Sequence, residues 1–269
     1  MANARALAHE LAAAYATKTL VPPPSSRDGG LDLATAYLVE HELMHLRQAE
    51  GHRTAGVKVG FANKAMWRAL KLDTLVWAHI YDDTVKYASN NEATLSIARM
   101  VQPKIEPEIV FKLRRAVPPD ADAAATLDAT EWIALGFEII DSVYPGWKFT
   151  PIDFVASYGL HAGLVVGSPL KVTGEDIPAL VDQLAAFTVT LQKNGAAVAQ
   201  GSGKNSLKNP ALCIAELSSA MAKAGTALSA GEVISSGTLT EAQLIAPAES
   251  YTAIVEGLSV APLTLRIES

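Results

Sequence analysis

Apolar positions along the chain change rhythm near residue 55. Over residues 2–20 and 31–50, alanine and leucine recur at helical spacing. The intervening VPPPSSRDGG holds three prolines and two glycines that can continue neither helix. From Ala55 onward the stretches GVKVGF, PKIEPEIVFKL, GFEIIDSV, LHAGLVVG, FTVTLQ and GEVISSGTL are short and β-branched, and they often alternate, as strands do. The pattern predicts a helical N-terminal region over 1–54 and a β-rich body over 55–269. Asn194-Gly195, between FTVTLQ and AAVAQ, signals a tight hairpin. One later helix is expected from about Asn209 to Lys223, with Asn209 as N-cap, Pro210 in the first turn and Gly225 after the last. No repeat with a period of 20 to 50 residues is visible. The class is α+β.

Composition narrows the picture. The 269 residues, 49% of them hydrophobic, can bury a full core. Lys+Arg 22 against Asp+Glu 28 leaves a net charge of -6 with no basic run, which argues against nucleic acid as a partner. No apolar stretch approaches the roughly 18 residues of a membrane span, so neither membrane insertion nor export is expected, and the cytoplasm fits best. The single cysteine, Cys213, excludes an internal disulfide and reads as a buried, inert thiol within the later helix.

HELMH, from His41 to His45, matches the H-E-x-x-H pattern in which two histidines one helical turn apart hold zinc and the glutamate acts as base. The pattern needs a third ligand. Leu46, Arg47, Gln48 and Ala49 follow, Glu50 shares the helix end, and Glu92 lies beyond the change of texture. The stretch is expected to be the polar face of an amphipathic helix whose Leu43 and Leu46 point inward.

Carboxylates carry more chemistry. In KIEPEIVFKL, Ile105, Ile109, Phe111 and Leu113 alternate with Glu106, Glu108, Val110 and Lys112, so the two glutamates share a face roughly 7 Å apart. Such anions repel unless a cation lies beside them, and Pro107 removes a ladder donor between them. A solvated edge strand is the alternative. Glu138, in the apolar run of GFEIIDSV, adds a third carboxylate where an unpaired charge is costly. Three glutamates form a hard oxygen set suited to Mg²⁺ or Mn²⁺.

AGVKVGF, IEPEIVF, EIIDS and LSAGEVISSGTL, in this order and spacing, resemble the fumarylacetoacetate hydrolase superfamily, in particular its 2-keto-4-pentenoate hydratase and 4-oxalocrotonate decarboxylase branch. The resemblance runs from about Ala36 to the C-terminus. It implies a mixed β-sheet roll, Mg²⁺ or Mn²⁺ on Glu106, Glu108 and Glu138, and a 2-oxo or 2-hydroxy dienoate substrate. It also implies a homo-oligomer built as a dimer or multiple of dimers. Hydration of a 2-hydroxy-2,4-dienoate is the expected reaction, with decarboxylation of an oxo-diacid, C–C bond hydrolysis or a non-catalytic keto-acid-binding relative as alternatives. Metal-stabilised enolate character is common to hydration and decarboxylation. By the same resemblance Lys58 is the cation that holds substrate or donates a proton, and Asp82 is an acidic position near the entrance. Asp141 and Ser142 orient a ligand, and Gly237 and Thr238 form a tight turn offering an N–H and a hydroxyl to a carboxylate.

The chain also departs from that branch. Where a polar Asp-Asn-Ala-Ser-Ser type segment is usual, it has Ser157, Tyr158, Gly159, Leu160 and His161, and Val143 replaces a common arginine. His161 is thereby a candidate acid or base, with a partly buried structural histidine as the alternative.

Overall fold

A computed structural model describes residues 3–269; residues 1 and 2, where the first expected helix begins, lie outside the described chain. Two helices open it, α1 (Ala4–Thr17) and α2 (Leu33–Ala49). Asn3 Oδ1 accepts from Ala6 N at the start of the first, and Asp32 Oδ1 from Thr35 N at 2.7 Å at the start of the second. Each cap satisfies an amide that the helix cannot. There follow β1 (Thr54–Gly60), α3 (Lys64–Leu70), β2 (Val76–Tyr81), β3 (Val85–Tyr87), β4 (Glu92–Ser96) and β5 (Lys104–Leu113). Next come α4 (Ala123–Asp128), β6 (Thr130–Ile140), α5 (Pro151–Val155), β7 (His161–Val166), β8 (Leu170–Lys171) and α6 (Ile177–Ala186). The chain ends with β9 (Thr188–Lys193), β10 (Ala196–Ser202), α7 (Pro210–Lys223), β11 (Val233–Ser235), β12 (Gln243–Leu244), β13 (Ser250–Glu256) and β14 (Leu263–Glu268).

The strands form two mixed sheets. One runs β2-β1-β11-β5-β6-β7-β3, with β12 beside β5 and β8 beside β6; the other runs β10-β9-β13-β14-β4. Alternation aims one face of each into a shared core, with Ile105, Ile109, Phe111, Leu135, Phe137 and Ile139 from the first sheet and Leu191, Tyr251, Leu263 and Leu265 from the second. Cys213 lies in that core, and burial pushes its thiol up to about 12, as an inert thiol requires. The hairpin between β9 and β10 turns on Asn194 (φ 51°) and Gly195 (φ 82°), the left-handed pair that suits a two-residue turn.

The N-terminal helices pack Leu7, Leu11, Val39 and Leu43 against Ile140, Val143, Phe154, Val155 and Leu160. They thus back the segment that follows β6. Tyr15 Oη reaches across to donate to the Asp141 carbonyl at 3.0 Å. Tyr37 Oη and Glu40 Oε1 accept from Trp77 N and His79 N, covering the free edge of β2. On the same helix His41 and His45 are exposed with their rings 5.0 Å apart, as expected of a polar face, while Leu43 is buried and Leu46 half-buried.

Candidate active site

The face of β5 and β6 turned away from the main core carries the three glutamates. Glu106 stands opposite Glu138 in the register, and Glu108 opposite Gly136. Like charges directly opposite on neighbouring strands are destabilising. Because β5 lies inside the sheet, these are not edge residues: Glu108 and Glu138 are 1% and 0% exposed. One oxygen from each glutamate lies within 4.8 Å of the others.

Lys58 points to the same face from β1, whose Val57 and Val59 enter the main core. Its ammonium is buried, 2.9 Å from Glu138 Oε2 and 4.9 Å from the centre of the Phe154 ring. His161 Nδ1 lies 2.9 Å from Glu138 Oε1, and its Nε2 lies 2.9 Å from Thr84 Oγ1. A carboxylate only accepts, so Nδ1 carries a hydrogen, while Thr84 Oγ1, beside the other nitrogen, also donates to the Tyr81 carbonyl at 2.8 Å. Glu108 Oε2 accepts from Ser235 Oγ and, at 2.8 Å, from Gly237 N, whose φ of 93° suits glycine.

Electrostatics divide the carboxyls. Burial works to raise Glu138, but Lys58 and then His161 outweigh it and hold the group below its ordinary value. Burial raises Glu106 to about 7 against the pull of Lys58. Burial, then the charges of Glu138 and Glu106, push Glu108 well above the carboxylate range. Burial alone would lower Lys58, but the glutamates, Glu138 first, hold it above its ordinary value. One lysine thus serves three carboxylates and is insufficient for all of them.

Two buried oxygens are left over. Glu108 Oε1 has no hydrogen-bond partner, and Glu138 Oε2 has only the lysine charge, close by but out of line for a directed hydrogen bond. Orphaned acceptors of this kind are costly without a positive partner. An all-carboxylate set with free oxygens fits a hard divalent cation.

Above the carboxylates lies a cavity of about 240 Å³. Phe61, Met66, Ile140, Phe149, Phe154 and Leu160 give it an apolar wall, and Lys58 is the cation among its lining residues. It shares Ala62, Asn63 and Asn205 with an outer cleft of about 570 Å³ that holds Lys64, Lys204 and Lys208 alongside Asp120 and Glu216.

Not every expected site residue reaches this cavity. Glu106, Glu108, Lys58, Gly237 and Thr238 line it, whereas Glu138 and the His161 that contacts it are not among the lining residues. The Gly237 N–H is spent on Glu108, and the Thr238 hydroxyl on the Thr240 carbonyl at 2.8 Å. Asp82 lies at the surface beyond the start of β1, where its carboxylate accepts from Arg53 N and Asp83 N. Asp141 accepts from Val101 N, Gln102 N and Ser142 N, and Ser142 Oγ from Tyr144 N, so both brace loops. Thr84, Ser235 and Phe154 were not singled out by the sequence. Ser235, inside GEVISSGTL, had a signal there in its small polar run; the other two are brought in by tertiary packing.

Residues 65–264 match the fumarylacetoacetate (FAA) hydrolase C-terminal family. The chain is 31% identical over 224 residues to 2-hydroxyhexa-2,4-dienoate hydratase of Comamonas testosteroni, covering 83% of this chain and 82% of that one. It is 27% identical over 240 residues to 4-oxalocrotonate decarboxylase of Pseudomonas sp. (strain CF600), covering 88% and 87%. Its fold is similar to that of 4-oxalocrotonate decarboxylase from Pseudomonas putida G7 complexed with magnesium and adipate, with a TM-score of 0.87, 24% identity and coverage of 98% and 97%. The chain therefore belongs to the fumarylacetoacetate hydrolase family, in the branch of 2-keto-4-pentenoate hydratases and 4-oxalocrotonate decarboxylases.

Proposed function

We propose that the protein is a metal-dependent hydratase that adds water to a 2-hydroxy-2,4-dienoate, or its 2-oxo tautomer, to give a 4-hydroxy-2-oxo acid. The observation that carries this reading is the cavity itself. Glu106 and Glu108 line it, with unpartnered oxygens on Glu108 and on the neighbouring Glu138, and its wall is apolar, with Lys58 as the cation that lines it. A substrate with one carboxylate and a short hydrocarbon tail matches that division. The 31% identical relative bears the name of such a hydratase.

Glu106, Glu108 and Glu138 would hold Mg²⁺ or Mn²⁺. When bound, such a cation supplies the positive charge that draws electron density from the substrate's 2-oxygen. Lys58, kept as an ammonium by its glutamate neighbours, offsets the substrate's carboxylate charge and can donate a proton. His161 and Thr84 fix the orientation of Glu138. The apolar wall excludes stray water from the diene and seats its tail.

A decarboxylase of an oxo-diacid is the second reading, favoured by Lys64, Lys204 and Lys208 in the adjoining cleft, which offer charge to a distal carboxylate. One assay separates the two. The metal-loaded protein is given 2-hydroxyhexa-2,4-dienoate or 4-oxalocrotonate, and dienoate absorbance and CO₂ release are followed. The expected result is loss of the dienoate with a 4-hydroxy-2-oxo acid as product. CO₂ from 4-oxalocrotonate without hydration of the dienoate would replace the first reading by the second.

A further inference from the structure

Tyr158, Gly159 and Leu160 have φ of 54°, 58° and 57°, three successive residues in the left-handed region. Two of them carry a Cβ, which opposes that conformation. Strain of this sort persists where the surroundings enforce it and clusters at functional sites. Here the turn is fastened at both ends: Leu160 N donates to the Ser157 carbonyl at 2.7 Å, and the Leu160 carbonyl accepts from Asp141 N at 2.8 Å.

The conformation brings main chain close to the catalytic lysine. A Cβ on Gly159 would lie 3.2 Å from Lys58 Cδ, 3.3 Å from Phe154 Cε1 and 2.7 Å from Ala78 Cβ. The flexible stem of Lys58 is therefore confined between the bare α-carbon of Gly159 and the Phe154 ring. The next two residues send Leu160 into the cavity wall and His161 onto Glu138. A lysine has four side-chain torsions to fix, and a closed channel removes most of that freedom in advance.

We propose that Gly159 is a positioning residue, whose missing side chain seats the Lys58 stem so that the ammonium is held between Glu138 and the cavity. This deepens the function proposed above, since it rests on Lys58 acting on the substrate. The test compares crystal structures, melting temperatures and kcat for the metal-loaded wild type, Gly159→Ala and Gly159→Ala with Ala78→Gly. The second substitution removes the tightest clash, so part of the lost stability is recovered, the left-handed backbone strain remaining, while the added methyl group still presses on Lys58. The expected result is an ammonium displaced from Glu138 in both variants and kcat lowered about 100-fold, the cost of a misplacement near 1 Å. The melting temperature should fall in the single variant and rise part of the way back in the double. An ammonium still at Glu138, or a kcat that recovers with the melting temperature, would overturn the proposal. A wild type that hydrates no 2-hydroxydienoate would instead defeat the proposed function, while the crystal structures would still decide the role of Gly159.

Discussion

Lys58 Nζ and Glu138 Oε2 lie 2.9 Å apart with both side chains almost wholly buried, at 2% and 0% exposure. They come from different strands, β1 and β6, which two others separate in the sheet. The pair joins the two halves of the site. It gives one carboxylate a cation and leaves Glu106 and Glu108 to be satisfied by something else.

Removing the lysine should be felt twice. Lys58→Ala leaves the Glu138 charge buried with only His161 beside it, and breaking a buried pair this way costs roughly 3–5 kcal/mol. The metal-free variant should melt well below wild type, and turnover of a 2-hydroxydienoate should be nearly abolished through both kcat and kcat/KM. Thermal melts and steady-state kinetics check this, and a variant with wild-type turnover would remove Lys58 from the mechanism.

His161 should behave as a support for Glu138. Replacing it with Asn is expected to weaken Mn²⁺ binding by roughly 10- to 100-fold, as loss of an outer-shell partner does. The pH–rate profile at saturating metal should keep its shape. A limb near neutral pH that disappears in His161→Asn would make the imidazole a participant in proton transfer and favour the C–C hydrolase alternative.

The zinc-like HELMH stretch should be inert. His41 and His45 are exposed on α2 and belong to neither of the two groups of at least three candidate ligands among the described residues. His41→Ala combined with His45→Ala should leave metal content and turnover near wild type. Loss of one zinc per chain would bring the peptidase reading back.

A different histidine should contribute to the pH dependence of folding stability. Burial works to lower His79, but its contact with Glu40, at 2.7 Å, outweighs this and raises the group above its ordinary value. A folded-state value above the unfolded one contributes stability that is fully present below about pH 6.5 and is lost as pH rises through the folded value. Melting temperature should therefore decline over that range in wild type. Glu40→Gln keeps an acceptor for His79 N and should flatten the decline; an unchanged slope would assign it to other groups.

Much of this architecture is legible in the residue pattern. Ile105, Ile109, Phe111 and Leu113 alternate strictly, so the glutamates had to share the other face, and Asn194-Gly195 fixes its hairpin by local turn chemistry alone. The left-handed turn at 158–160 is not legible, because Tyr158 and Leu160 have no local preference for it and only packing imposes it. The contact of His161 with Glu138 spans 23 residues and depends on how β7 aligns with β6. Asp82 shows the converse. The resemblance puts it near the entrance, but the antiparallel pairing of β2 with β1 carries it past Thr54, at the far end of β1 from the cavity.

The central claim is that Glu106, Glu108 and Glu138 hold one divalent cation per chain, and calorimetric titration of Mn²⁺ into wild type and Glu106→Gln tests it most directly. The amide keeps an oxygen but loses the charge a hard cation needs. The predicted result is one site per chain in wild type, weakened in the variant by more than the roughly 10- to 100-fold that an outer-shell loss costs. Equal Mn²⁺ affinity in the two proteins would contradict the account.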